Sequence, residues 1–332
     1  MPSTLNGLER GGTIMREFRE VPRIFRSIER KDTAELKRCL KEGDDPNIEH
    51  HFKYSPYYEA YGDEKKYLTK KEFDDLGKKI SENAVEKSAH RKHVIPKIQY
   101  FPYPSTPLVH AVTIGTPELV KILLEHNADP DQKIGNRQSM EGTLGYFLTG
   151  NPETSPLLRA SYYGDRNEKK DKKYLRIVKL LLQHGAKVDV RDDSGTTPLH
   201  HSANFGLYGL VRLMLKAKAN IDERDGFQKT PLMFSAGSSG PKVTKYLIRK
   251  GADINAADKE GNTPLHYAAR SGNVESVKLL LAAGANPLTR ETKHGWKPSD
   301  YIGETSGPKK TVYRTDMIEC KSLLTEAERK AG

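Results

Sequence analysis

The word Thr-Pro-Leu returns at Thr197, Thr230 and Thr263, and an aspartate stands five residues before each, at Asp192, Asp225 and Asp258. Two independent markers sharing a spacing of 33 residues mean that one supersecondary unit is used repeatedly. A unit of that size cannot bury its apolar side alone, so the chain has to stack neighbours that complete one another's cores. The composition suits thin layers close to solvent: of 332 residues, 36% are apolar and 30% charged.

Each part of the word has a mechanical reason. The threonine precedes a helix and caps its free amides, and the proline after it sits in the first turn, where no N–H is needed. Ala268 and Ala269 keep the first helix slim, so that a second helix within VESVKLLLAAG (274–284) packs on it through Val277, Leu280 and Leu281. Gly251 and Gly284 end second helices, where a left-handed residue satisfies the last carbonyls at low steric cost. Lys218 takes the same place in another unit, which predicts local strain.

This word at this period resembles the ankyrin repeat, a β-turn finger followed by two antiparallel helices. The resemblance implies an all-α fold, a solenoid of five to six helix-turn-helix units with β-turn fingers. It also implies that the histidine two positions beyond the proline, at His200 and His266, bonds its threonine and the next repeat. Met233 departs from that pattern. Upstream, TSPLLRASYYG (154–164) and IVKLLLQHGAKVD (177–189) read as one unit split by a polar loop at 165–173, and STPLVHAVTIG with PELVKILLEHNADPD (105–131) as another. Residues 132–153 read as an enlarged finger. The organisation expected is a tail (1–20), an N-terminal capping repeat (21–47), an insertion (48–105), ankyrin repeats (106–290) and a C-terminal capping repeat (291–332). The caps lack the full word because their outer faces meet water.

The insertion between Gly43 and Asn127 is the stretch least like the family. It carries Phe52, Tyr54, Tyr57, Tyr58, Tyr61, Tyr67, Phe73, Tyr100, Phe101 and Tyr103, far more rings than a solvated loop needs. Leu68, Phe73, Leu76 and Ile80 recur at helical spacing and predict a helix around 67–90. The aromatic side chains either pack across the concave face of their own array or meet another protein.

The function follows from the face that such a stack leaves open. In ankyrin arrays the finger tips and the exposed side of the first helices form a concave surface that binds proteins. The position after the histidine reads His110, Arg159, His201, Phe234 and Tyr267, and three positions further on it reads Thr113, Tyr162, Asn204, Gly237 and Arg270. Phe227, Lys229, Lys259 and Asn262 extend the row from the fingers, with Trp296 at its far end. Aromatic, imidazole and guanidinium groups are the types enriched at interface hot spots.

The expectation is a non-catalytic scaffold or adaptor, with a structural subunit of a cytoskeletal, axonemal (microtubule-associated) or organellar assembly as the alternative. No phosphate loop, paired-carboxylate signature or nucleophile-base arrangement is present, so neither a catalytic site nor a cofactor is expected. Cys39 and Cys320 stand near opposite ends with no Cys/His cluster, which predicts neither disulfide nor metal site. The net charge of +11 favours acidic partners, for which tubulin surfaces would serve. No recognised nucleic-acid-binding motif accompanies it. No run approaches the roughly 18 apolar residues of a membrane span, and no secretory signal is seen, so a cytoplasmic protein is expected.

Overall fold

The computed structural model describes residues 22–48, 58–61, 64–67, 106–132, 155–163, 168–238, 241–302 and 314–332. They fall into two units, one holding Arg23–Ile48, Thr106–Lys133 and Glu153–Gly332, the other holding Met1–Pro22, Glu49–Ser105 and Ile134–Pro152.

In the larger unit every described element is helical. The helices come in pairs: α1 (Arg23–Glu29) with α2 (Thr33–Lys41), α3 (Pro107–Ile114) with α4 (Pro117–Glu125), α5 (Pro156–Tyr163) with α6 (Glu168–Gln183), and α7 (Pro198–Asn204) with α8 (Tyr208–Lys216). Then follow α9 (Pro231–Gly237) with α10 (Pro241–Arg249), α11 (Pro264–Arg270) with α12 (Val274–Ala282), and a 3-10 turn (Pro298–Tyr301) with the long α13 (Arg314–Ala331). First helices pack on first helices and second on second, α5 on α7 on α9 on α11 and α6 on α8 on α10 on α12. This is the all-α ankyrin solenoid that the 33-residue word implies.

The local chemistry explains the pairing. Thr106 and Thr230 sit in extended backbone and accept N–H bonds from Val109 (3.3 Å) and Met233 (3.4 Å), with proline next in each case. Ala268 and Ala269 are fully buried together with Val277 and Leu280, whereas Leu281 is only half-buried. After α12 the chain closes with Gly284 N–H donating to Leu281 O (3.0 Å) and Ala285 N–H to Leu280 O (2.9 Å), at φ +92° for Gly284. The same left-handed turn is made by Gly43, Gly185 and Gly251, and by Asn127 and Lys218 at φ +64° and +66°. Lys218 holds a conformation that disfavours a side chain, as its sequence position implies. Gln228, at φ +63°, takes the finger position filled by Gly195 and Gly261 in the adjoining units.

Two elements of the larger unit differ from the sequence expectation. The polar stretch 165–173 was expected as a loop, yet α6 begins at Glu168 and is 16 residues long. EKKDKK consists of helix-tolerant residues with an acid in the first turn, and the added turns dock. Tyr174 is buried and Lys173 Nζ donates to Ile114 O (3.1 Å), at the end of α3. The C-terminal first helix, expected within 294–303, is the short 3-10 turn.

In the smaller unit the described residues form an antiparallel hairpin, β1 (Tyr58–Tyr61) with β2 (Glu64–Tyr67), in the register Tyr58 opposite Tyr67 and Tyr61 opposite Glu64. Tyr67 therefore ends a strand instead of starting the helix expected over 67–90. Strands rich in tyrosine and separated only by Gly62 and Asp63 suit a tight hairpin. The rest of that expected helix and the enlarged finger beyond Gln132 lie outside the described residues.

Candidate protein-binding face

The fingers set the geometry. Asp192 Oδ1 accepts N–H bonds from Ser194 and Thr196 (both 2.9 Å), Asp225 Oδ1 from Phe227 and Lys229 (both 2.8 Å), and Asp258 Oδ1 from Glu260 and Asn262 (both 2.8 Å). In the last finger Glu291 does this work, its carboxylate accepting from Lys293 and His294 (2.6 Å each) and Trp296 (3.2 Å). That finger is one residue longer, with Pro298 where the spacing would put 297, and the extra methylene of glutamate spans it. Burial opposes ionisation of Glu291, but these three N–H groups prevail and hold its carboxyl below the usual range.

Successive fingers are joined by Gly226 N–H to Ser194 O (2.8 Å), Lys259 N–H to Phe227 O (3.1 Å) and Thr292 N–H to Glu260 O (2.7 Å). Arginines strengthen the joint: Arg191 donates to Gly195 O and Arg224 O and pairs with Glu223, and Arg224 donates to Gln228 O and Ala257 O. Sequence reading missed these arginines, although Arg191 and Arg224 repeat at the period of the word.

The histidines lock each unit to the next. His200 Nδ1 accepts Thr197 N–H (3.2 Å) and lies 2.8 Å from the threonine hydroxyl, so its Nε2 carries the proton and donates to Lys229 O (3.0 Å). His266 repeats this with Thr263 N–H (3.0 Å) and Trp296 O (3.2 Å). Burial lowers the basicity of both rings and keeps them neutral. Met233 keeps the first half only, its sulfur accepting Thr230 N–H at 3.4 Å.

The expected binding row divides into three groups. His110 does not lie on an open face: it is 1% exposed, edge-on to the Phe25 ring at 5.6 Å, with Glu29 3.7 Å away, because α1 packs against α3. His201 and Tyr267 are half-buried and tied back to their own fingers, His201 Nε2 to Asp192 Oδ2 (3.0 Å) and Tyr267 OH donating to Asp258 Oδ2 (2.6 Å). Burial first, and then the Asp258 carboxylate, push the Tyr267 phenol upward. Phe234 has no such donor and stands edge-on to His200 at 5.4 Å. Arg159 is half-buried, and Thr113 Oγ1 is spent on Val109 O (2.8 Å). Trp296 stacks on His294 at 4.7 Å and meets Tyr301 edge-on at 5.3 Å.

What remains open gathers in two places. Tyr162, 50% exposed, meets His201 and Phe205 edge-on at 6.0 and 5.6 Å, near the exposed Asn204. Phe227, 57% exposed, lies under Lys229 Nζ at 5.3 Å; the same ammonium is 5.5 Å from Tyr267, over which Arg270 stands at 5.2 Å. Lys259 is exposed beside Phe227, and Gly237 leaves a gap in the row above Tyr267. Phe205 was missed because it ends α7 outside the repeat word. Among the described residues no group of histidine, cysteine and acidic side chains could hold a metal, and no helix is long and apolar enough to cross a membrane.

Comparison with known proteins agrees with this architecture. A model described as ankyrin repeats, three copies, matches residues 150–225 and 208–291, and a model described as ankyrin repeat matches 105–134. Together they span just over half of the chain. A protein of Rickettsia bellii (strain RML369-C) described as an ankyrin repeat protein is 29% identical over 130 residues, which is 37% of this chain and 49% of that relative. The chain thus spans about half the length of that relative.

Proposed function

The chain belongs to the ankyrin repeat family, whose arrays are protein-interaction modules, and on that premise we propose that it is a non-catalytic scaffold or adaptor. Its partner is a protein held on the face of fingers and first helices, with the 48–105 insertion as a second contact. The observation that carries this reading is Phe227, more than half exposed, with Lys229 Nζ over its ring and the same ammonium shared with Tyr267, over which Arg270 stands. A large ring kept in water beneath an ammonium group, next to a second ring that carries a guanidinium, is the composition of an interface anchor. Tyr162 and Asn204 extend the contact, and the half-buried His201, Phe234, Tyr267 and Trp296 line the same row; His110 and Asn262 drop out, since both are buried and Asn262 spends its amide on Asp258 and Tyr301. The inter-unit bonds of His200 and His266 occupy both ring nitrogens, which suits a structural role and leaves neither nitrogen for catalysis.

Affinity capture of the full chain, with partners identified by mass spectrometry, tests this. Phe227→Ala with Arg270→Ala should remove most of the captured partner while the melting temperature stays within a few degrees. Removal of Lys53 to Tyr103 reports separately on the insertion. Unchanged recovery with both variants would refute the proposed face. A second reading, permanent incorporation into a microtubule-based or other cytoskeletal assembly, is favoured by the net charge of +11, which suits acidic tubulin surfaces. It requires retention in a salt-washed cytoskeletal pellet; release at low salt would dismiss it.

A further inference from the structure

The second helices of the array differ sharply in charge. On α4 and α12 every cation has an acid of the same helix beside it, Lys121 with Glu125 and Lys278 with Glu275 (3.6 Å each), and on α2 Arg38 pairs with Glu35 (2.6 Å) while Lys37 and Lys41 stand unpaired among the described residues. The adjacent helices α8, YGLVRLMLK, and α10, PKVTKYLIR, contain no acid. They and the turn after α10 expose Arg212, Lys216, Lys242, Lys245, Arg249 and Lys250, and none of the six is paired with a carboxylate.

Two tyrosines organise the centre of this face. Tyr208 of α8 and Tyr246 of α10 meet edge-on at 5.1 Å. Lys242 Nζ lies 4.6 Å and Arg212 5.8 Å from the Tyr208 ring, and Lys250 Nζ 5.8 Å from Tyr246. The rings hold the cations in place without neutralising them. On one flank α6 adds the exposed Lys179, and on the other the acids resume with Glu275 and Glu319.

We propose that the α8–α10 face is a second interaction surface, separate from the fingers, that binds an acidic polypeptide segment rich in Asp and Glu. A cluster of like charges without internal counterions gains most from a partner that brings several negative charges at once and displaces the dissolved ions that otherwise screen it. The chemistry favours carboxylates over the other polyanions. Among the described residues the large exposed apolar side chains, Tyr162, Phe227, Leu288 and Ile318, all lie outside α8 and α10, so this face offers nothing to enter the acyl layer of an anionic membrane. The tyrosine rings are half-buried and covered by each other and by cations, so they offer no open platform for nucleobases.

The test uses the full chain and a fluorescein-labelled oligoglutamate peptide, read by anisotropy. The quadruple variant Arg212→Gln, Lys216→Gln, Lys242→Gln, Lys245→Gln should weaken binding about tenfold or more, as four surface ion pairs of modest strength would give. A charge-matched control, Lys37→Gln, Lys41→Gln, Lys121→Gln, Lys321→Gln, takes the same four charges from other exposed positions and should change affinity by less than about twofold. Wild-type affinity should fall as salt rises. Far-UV dichroism should show that both variants keep their helices, and excess unlabelled oligoglutamate should restore the free-peptide signal. Equal weakening in both variants would reduce the effect to net charge and overturn the proposal. Tighter binding of a single-stranded oligonucleotide, or of phosphatidylserine vesicles, than of oligoglutamate would overturn it as well. Phe227→Ala with Arg270→Ala should leave oligoglutamate binding intact, so failure of the finger face and failure of this one are read independently.

Discussion

Exchange of His200 and Met233 isolates the inter-unit hydrogen bond. In His200→Met the thioether can still accept Thr197 N–H, as Met233 accepts Thr230 N–H at 3.4 Å, so the helix start survives. What is lost is the Nε2–H bond to Lys229 O, 3.0 Å long and linking residues 29 apart. That carbonyl is not orphaned, because Asp225 N–H also donates to it at 3.1 Å. The cost is therefore that of one ordinary bond, about 1 kcal/mol, and not the larger penalty of a stranded buried acceptor. On a repeat array of this size it lowers the melting temperature by about 2–4 °C. The reverse change, Met233→His, aims Nε2 at Asn262 O, the carbonyl equivalent to Lys229 O, and should gain up to about 1 kcal/mol. Urea denaturation followed by dichroism measures both.

The pH dependence adds a second check. Burial lowers the folded-state pKa of His200 below its unfolded value, so the stabilisation is complete above about pH 6.5 and is lost as pH falls through that range. The difference between wild type and His200→Met should therefore be largest near pH 8 and shrink towards pH 5. A loss above about 3 kcal/mol, a gap that widens on acidification, or a Met233→His variant less stable than wild type by more than 1 kcal/mol would refute the reasoning.

Lys218→Gly should stabilise by about 1 kcal/mol in the same urea titration, because φ +66° strains any side chain but costs glycine little. Leu280→Ala should cost about 2–5 kcal/mol and Phe227→Ala under about 0.5 kcal/mol by thermal melting, since one side chain is fully buried and the other more than half exposed. Tyr267→Phe, which removes only the 2.6 Å bond to Asp258, should cost about 1.5 kcal/mol in a melt, against next to nothing for a side chain on an open surface. Glu291→Gln should cost about 1–2 kcal/mol, followed by fluorescence of Trp296, the single tryptophan. Because the folded pKa of Glu291 is lowered, its contribution is present above about pH 4.5 and lost as pH falls below that, so the variant should flatten acid unfolding there.

The fold was legible because the residues that build it act locally. Thr230, Pro231, the buried alanines and the left-handed glycines each work within one unit, and a period of 33 makes them visible several times over. The face was less legible. Which side chains at a repeating position stay open depends on what packs across them, and that information sits in other units. His110 occupies the same position as Tyr267, yet α1 covers it because the capping unit docks there. His201 and Tyr267 bond to aspartates nine residues earlier, a link invisible to a search for apolar periodicity. The α6 extension was hidden because charged residues read as a loop until a buried tyrosine at their end anchors them.

Lys218, Gln228 and Met233 fall within sixteen positions of one another, and each replaces a residue that its neighbours use to hold conformation or to reach the following unit. The array therefore has a seam. The fifth helix pair keeps its finger bonds, Lys259 N–H to Phe227 O and Arg224 to Ala257 O, but lacks the ring bond to the following unit, so its backbone should open sooner than that of its neighbours. Amide exchange would show it as faster-opening backbone from Lys218 to Gly237, the stretch that carries Phe227 and Lys229.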